Sequence, residues 1–197
     1  MTAESRSILN PPRGGHISPL PRLLSVAEWD QWSQREDAYE LVDGLPTVSA
    51  PEVIRHNRAA ARLVNALDGA LGASAIVTLQ CEVLVDDAGP TVRRPDVAAL
   101  QPNVDGSSYR VDASQTLLVA EIVAPGSVVR DWRDKRSDYA CAGIPAYLVV
   151  DVAGDPNRIT LFDQPAAGDY SRITGGAQVT ITLPGGELTL TPADLTS

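Results

Sequence analysis

Residues 116–151 read TLLVAEIVAPGSVVRDWRDKRSDYACAGIPAYLVVD, and this stretch decides the architecture. Thr116 to Val123 is apolar or β-branched apart from Glu121, and Ala124-Pro125-Gly126 ends it. Val128 to Ala142 then carries a helical pattern that Gly143 and Pro145 stop. Ala146 to Val152 follows as a continuous apolar run, the mark of a strand buried on both faces. Strand, helix and strand in this order form a crossover unit, so part of the sheet is parallel.

Outward from this unit, Arg158–Asp163, Tyr170–Ile173, Gln178–Leu183 and Glu187–Leu190 are short strands set off by glycine and proline, expected as antiparallel hairpins. On the other side, Ile76–Val85 reads as a strand, Asp86 to Pro90 as a turn and Thr91–Leu100 as its antiparallel partner, followed by a loop over Gln101–Gln115. Pro51 and Glu52 open a helix in which Ala60, Leu63, Val64, Leu67 and Leu71 recur at helical spacing down to Gly72. Earlier still, Ser25 and Glu28 have the spacing of a capping box, predicting a short helix to about Arg35 with Trp29 and Trp32 in the core. Tyr39 to Gly44 and Leu45 to Ser49 read as two strands. The expected fold is therefore α/β, a central mixed β-sheet flanked by helices with extra antiparallel hairpins at the C-terminal end. Residues 1–22, rich in proline and glycine, read as a flexible arm before one domain spanning 23–197.

The chain has 197 residues, 44% of them hydrophobic and 21% charged, which excludes a large multidomain enzyme and a wholly disordered chain. Cys81 and Cys141 make neither a disulfide scaffold nor a metal signature. With no basic-then-apolar start and no run of roughly 20 apolar residues, the protein is expected in the cytoplasm and off the membrane. Its formal net charge of -9 works against unaided attraction to a phosphate backbone, so a nucleic-acid function needs a local basic patch or a metal ion.

Alternation along Thr116–Val123 puts Val119, Glu121 and Val123 on one face. Glu121 is thus a carboxylate among apolar neighbours, to be compensated by a cation, a metal or hydrogen-bond donors. Either Arg93 or Arg94 could serve as a structural partner. Asp96, at the start of Val97–Leu100 after Pro95, can lie beside Glu121 on the next strand, and two adjacent carboxylates suit magnesium or manganese. Lys135, the single lysine of the chain, shares a helical stripe with Asp131 and Tyr139. It could reach back to the carboxylates and orient an attacking water, or pair with Asp131 on the surface. Arg130, Arg133 and Arg136 form the densest cationic cluster, a surface for a nucleic-acid backbone or an ordinary solvated face. Glu40, His56 and Gln80 are further polar residues that could border a site.

The ordered set Ser25–Trp29, Tyr39-Glu40-Leu41-Val42-Asp43-Gly44, Ser49-Ala50-Pro51 with His56, Arg94-Pro95-Asp96-Val97, Val119 to Ser127, and Asp131–Tyr139 with Ala142–Asp151 resembles the Uma-two family of bacterial restriction-endonuclease-like proteins. The resemblance implies the PD-(D/E)XK nuclease fold and Mg2+- or Mn2+-dependent endonuclease activity on DNA by a homodimer. It makes Asp96 and Glu121 the metal-binding carboxylates, Lys135 the catalytic lysine and Glu40 an additional acid, with His56 near the site. Where the wider nuclease pattern has lysine two residues after the strand glutamate, this chain has Val123, leaving Lys135 of the following helix to supply it. The competing expectations are a non-catalytic binding or assembly module on the same fold, also dimeric, and a hydrolase of small phosphoesters.

Overall fold

The computed structural model describes residues 23–33, 39–48, 52–123, 130–152, 154 and 156–196, without the side chains of Trp32, Ser33, Tyr39, Arg130 and Asp131. The arm expected over 1–22 lies outside the described residues, as does 124–129 at the start of the helix expected from Val128.

Ser25 and Glu28 cap the first helix, α1 (Val26–Ser33), reciprocally: the Ser25 N–H donates to Glu28 Oε2 at 3.0 Å and the Glu28 N–H to Ser25 Oγ at 3.3 Å. Trp29 of this helix is buried against Leu41 and Val92. Strands β1 (Tyr39–Val42) and β2 (Leu45–Val48) follow as a hairpin. Its turn residues Asp43 and Gly44 have φ of 50° and 76°, the left-handed pair that an Asp-Gly turn supplies.

Helix α2 (Ile54–Leu71) leads to β3 (Ile76–Leu79), β4 (Glu82–Asp86), β5 (Thr91–Arg93) and β6 (Val97–Leu100). The antiparallel pair expected from Ile76–Val85 and Thr91–Leu100 is present, but it is broken across the middle. One arm turns at Gln80, whose φ is 52°; the other turns at Arg94-Pro95-Asp96, where Pro95 has no N–H to offer a ladder. The outer half, β4 with β5, belongs to a five-stranded sheet in the order β2-β1-β5-β4 and then β7 (Arg110–Asp112), a strand within the segment expected as loop. The inner half, β3 with β6, joins the larger sheet. There β8 (Thr116–Val123) lies between β6 and β9 (Ala146–Asp151), antiparallel to the first and parallel to the second, with α3 (Lys135–Cys141) in the crossover. A π-helical turn over Arg130–Asp134 runs into α3.

β10 (Arg158–Ala166) and β11 (Asp169–Gly176) extend this sheet as a hairpin, completing the order β11-β10-β9-β8-β6-β3. β12 (Val179–Leu183) and β13 (Gly186–Leu190) form a separate hairpin before the short α4 (Pro192–Thr196). The fold is α/β, mixed sheets flanked by few helices. No described helix is long and apolar enough to cross a membrane.

The strand alternation sets the two cores. Leu118, Ala120 and Ile122 of β8 pack with Leu63, Leu67 and Leu71 of α2 on one face of the sheet. Val119 and Val123 pack on the other with Tyr139 of α3 and Tyr147. Each such leucine, fully buried, stabilises the fold by about 1.5–3 kcal/mol before entropy is counted. Glu121 falls between Val119 and Val123, on the face that α3 covers, as its place in the alternation requires.

Candidate active site

Two acidic residues and a lysine meet where the two larger sheets adjoin. Glu40 comes from β1 of the five-stranded sheet and Glu121 from β8 of the larger one; both are buried. Lys135, at the first position of α3, turns inward: its Nζ lies 2.9 Å from Glu121 Oε2 and 3.2 Å from Glu40 Oε1. One turn further along, the Tyr139 hydroxyl donates to Glu121 Oε1 at 2.8 Å. The helical stripe of Lys135 and Tyr139 is thus the part of α3 that covers the sheet. The Asp131 side chain, expected on the same stripe, lies outside the described residues.

Arg93 and Arg94, the partners weighed for Glu121, serve Glu40 instead. Arg93 Nη1 donates to Glu40 Oε2 and the Arg94 backbone N–H to Glu40 Oε1, each at 3.0 Å. The other edge of the Arg93 guanidinium faces α3, where Nε donates to Asp138 Oδ2 at 2.8 Å. Arg93 is only 3% exposed, and its arm to Glu40 is buried while that to Asp138, itself 31% exposed, is part-buried. Neither Arg93 as a ligand of Glu40 nor Asp138 stood out in the sequence. The one available signal was a guanidinium at the end of Thr91-Val92-Arg93, an otherwise buried strand.

Burial pushes the Glu40 carboxyl up, but Lys135, Arg93 and the Arg94 N–H overcome it and hold the group below the usual carboxylate range. For Tyr139 the forces add: burial and then the charges of Glu121 and Glu40 raise the phenol well above its ordinary value. It therefore stays a proton donor to Glu121 at neutral pH.

Asp96 lies at the bend before β6. Val97 is paired with Ala120, so Asp96 is the next residue in register toward Glu121. Its Oδ2 accepts the Ile122 backbone N–H at 2.7 Å, just beyond the Val97–Ala120 pair where the β6–β8 ladder ends. His56, buried in the first turn of α2, places Nε2 3.0 Å from the same oxygen and 3.5 Å from Glu52 Oε2. The Gln80 side chain is exposed, and its part is played by the backbone: its N–H donates to the Asp96 carbonyl at 3.3 Å and its carbonyl accepts Arg94 Nε at 3.0 Å.

Burial pulls the His56 imidazole down, yet the hydrogen bond and charge of Asp96, with Glu52, raise it above its ordinary value on balance. A raised value in the folded protein means a contribution to stability that is present below the unfolded histidine range, about 6.5, and lost as pH rises through the folded value. The native protein is therefore expected to lose more stability than His56→Gln between pH 5.5 and pH 8. Urea midpoints of both at the two pH values check this; parallel curves would refute it.

Of the arginine cluster expected on α3, Arg133 and Arg136 are engaged elsewhere. Arg136 pairs with Asp169 through both arms of its guanidinium and lies over the Phe162 ring, with Cζ 4.9 Å from the centroid. Arg133 pairs with Asp134 at 2.9 Å. The Arg130 side chain lies outside the described residues. The cluster of three arginines expected to receive a nucleic-acid backbone is thus bound in part to neighbouring carboxylates.

Asp96 and Glu121 are the residues that could hold a metal ion. They offer hard oxygen donors from neighbouring strands, the type that magnesium and manganese prefer. Among the described residues no group of three or more His, Cys, Asp or Glu side chains gathers as a ligand cluster. That donor set suits a cation that keeps most of its waters, as magnesium does.

The fold is shared with a solved protein of Anabaena variabilis described as "a putative nuclease belonging to DUF820". The match has a TM-score of 0.70 at 13% identity and covers 88% of this chain and 97% of that one. The chain belongs to the Uma2 family, described as "Putative restriction endonuclease", whose family model matches residues 26–193. No curated protein matches it.

Proposed function

We propose that the protein is a metal-dependent endonuclease that hydrolyses phosphodiester bonds in DNA, with Asp96 and Glu121 as metal-binding carboxylates and Lys135 as the catalytic lysine. One observation carries this reading: the only lysine in the chain is turned inward from α3 onto the strand carboxylate Glu121, at 2.9 Å, with Asp96 next in register on the neighbouring strand. Family membership and the nuclease-like fold support it.

Bound by Asp96 and Glu121, Mg2+ or Mn2+ would supply Lewis-acid polarisation of the phosphoryl group and an acidified water. Lys135 would orient the attacking water and balance charge on the phosphoryl oxygens. Glu40, fixed on its other side by Arg93, aims the ammonium; Tyr139 and His56 orient Glu121 and Asp96 respectively. In this reading residues 23–197 form one nuclease-like domain, acting as a homodimer in the cytoplasm.

The wild-type protein is expected to cut supercoiled plasmid in Mg2+ or Mn2+, and Asp96→Ala and Glu121→Ala to cut roughly 10²-fold more slowly or worse. Linear and single-stranded DNA, RNA and a small phosphodiester are run alongside. Cutting that persists in folded variants would expose a contaminant, and preference for the small ester would make the protein a phosphoesterase. A second reading, a non-catalytic nuclease-fold binding module, is favoured by one feature. Lys135 and Tyr139 already take an oxygen each of Glu121, so the carboxylate has partners without a metal. Wild-type protein that binds DNA and cuts none of these substrates supports that alternative.

A further inference from the structure

Helix α3 carries the single lysine of the chain, yet it has only seven residues and follows a π-helical turn. A helix that short has little stability of its own, so its rotation over the sheets is set by the side chains that grip them. Three do so within its first five residues. At 3.6 residues per turn, Asp138 and Tyr139 lie about 60° and about 40° to either side of Lys135 around the axis. They grip different sheets. The Tyr139 hydroxyl holds Glu121, which β8 brings from the larger sheet, and Asp138 holds Arg93, which β5 brings from the five-stranded one. Lys135, between them, spans both sheets through Glu121 and Glu40.

The Asp138 arm closes a circuit. Lys135 Nζ meets Glu40 Oε1 at 3.2 Å, and Glu40 Oε2 accepts Arg93 Nη1 at 3.0 Å. Arg93 Nε, at 2.8 Å, and Nη2 beside it then donate to Asp138 Oδ2, three residues along α3 from Lys135. Two contacts from one helix to the two ends of one ion pair fix its rotation and its height together. The division of the guanidinium also has a chemical effect. Its Nε–Nη2 edge is committed to Asp138, so Glu40 receives the Nη1 donor and keeps Oε1 for the ammonium and the Arg94 N–H. An Arg93 released from Asp138 is able to turn that two-donor edge onto Glu40, the bidentate geometry that guanidinium and carboxylate favour. Lys135 would then compete with it for the same carboxylate.

We infer that Asp138 is a positioning residue: acting through Arg93 and Glu40, it sets the direction from which the Lys135 ammonium meets Glu121. The catalytic consequence rests on the nuclease reading; the geometric one does not. Asp138 is 31% exposed, and Arg93 keeps Glu40 when it is replaced, so the substitution leaves no sealed, unpaired charge.

Because the chain has one lysine, lysine enriched in 13C and 15N reports Lys135 without further assignment. In the metal-free native protein, an ammonium held by two buried carboxylates is expected to give a slowly exchanging 15Nζ signal. It should also resist an amine-acylating reagent, followed at Lys135 by peptide mass spectrometry. Folded Asp138→Ala is expected to lose or broaden the signal and to be acylated roughly tenfold faster, the effect of one charge-assisted hydrogen bond. In Mg2+ it should cut saturating duplex DNA roughly tenfold or more slowly, with KM within about twofold. Asp138→Asn, which keeps the volume and one acceptor oxygen, should fall between. Asp134→Ala, whose partner is the surface residue Arg133, should match wild type in every readout. A merely structural Asp138 would lower the unfolding midpoint and leave the lysine of the folded molecules unchanged. Lysine readouts like wild type in folded Asp138→Ala, whatever its cutting rate, therefore overturn the positioning role while the nuclease reading stands. Altered lysine readouts beside a wild type that cuts no DNA uphold the positioning and fail the nuclease. Should Asp138→Ala not fold, Asp138→Asn carries the same comparison to the same outcomes.

Discussion

Replacing Lys135 with methionine is expected to stop cleavage and to loosen the fold together. Methionine keeps the length and apolar stem of lysine but removes the ammonium, which lies within 3.2 Å of both Glu40 and Glu121. For the proposed reaction this removes the group that orients water and balances phosphoryl charge; losses of about 10²–10³ in turnover are usual for one preorganised donor. For the fold it takes one cationic partner from each of two buried carboxylates, and breaking a buried ion pair from one side costs about 3–5 kcal/mol. Single-turnover cleavage at a temperature well below the variant's melting point, with urea unfolding of the same preparation, separates the two effects. A variant as stable as wild type would mean that the ammonium is not what compensates Glu40 and Glu121. A stable, folded variant that still cuts would remove Lys135 from the mechanism.

Arg93→Leu should produce the largest purely structural loss, again about 3–5 kcal/mol in urea at pH 7. The guanidinium answers Glu40 on one edge and Asp138 on the other, so its removal strips a partner from two elements at once. The pH dependence carries a sign. Because the folded Glu40 carboxyl is held below its ordinary value, despite burial, its ionisation stabilises the fold above the unfolded carboxylate range. That contribution is lost as pH falls through the folded value. Without Arg93 the burial term is less opposed, the folded value rises, and the acid unfolding transition moves to higher pH. Circular dichroism across an acid titration reads this directly; coincident acid midpoints for the two proteins would count against an ionised Glu40 held by Arg93.

The parts of this site that could be read in the sequence were those set by local repetition. A period of two along Thr116–Val123 put Glu121 on the face with Val119 and Val123, and helical spacing put Lys135 and Tyr139 on one stripe; both hold. The adjacency of Asp96 to Glu121 followed from treating Val97–Leu100 as a neighbouring strand. What periodicity does not carry is which distant side chain answers a buried charge. Arg93 and Glu40 are 53 positions apart, and nothing local to either distinguishes that pairing from one between Arg93 and Glu121. The division of the strands between two sheets was hidden for a related reason. Alternation runs through Ile76–Val85 almost undisturbed, and only the left-handed turn at Gln80, opposite Pro95, redirects the hairpin.

That broken hairpin also fixes when in the life of the chain a site can exist. Glu40 is delivered by one sheet, Glu121 by the other, and the strands that join them are the two halves of one hairpin. A chain that has formed either sheet alone has acidic residues and arginines but no assembled centre. Lys135 enters only when the crossover after β8 has closed, and β9, which completes that crossover, comes late in the sequence. The centre therefore exists only where both sheets and the crossover through α3 are in place together.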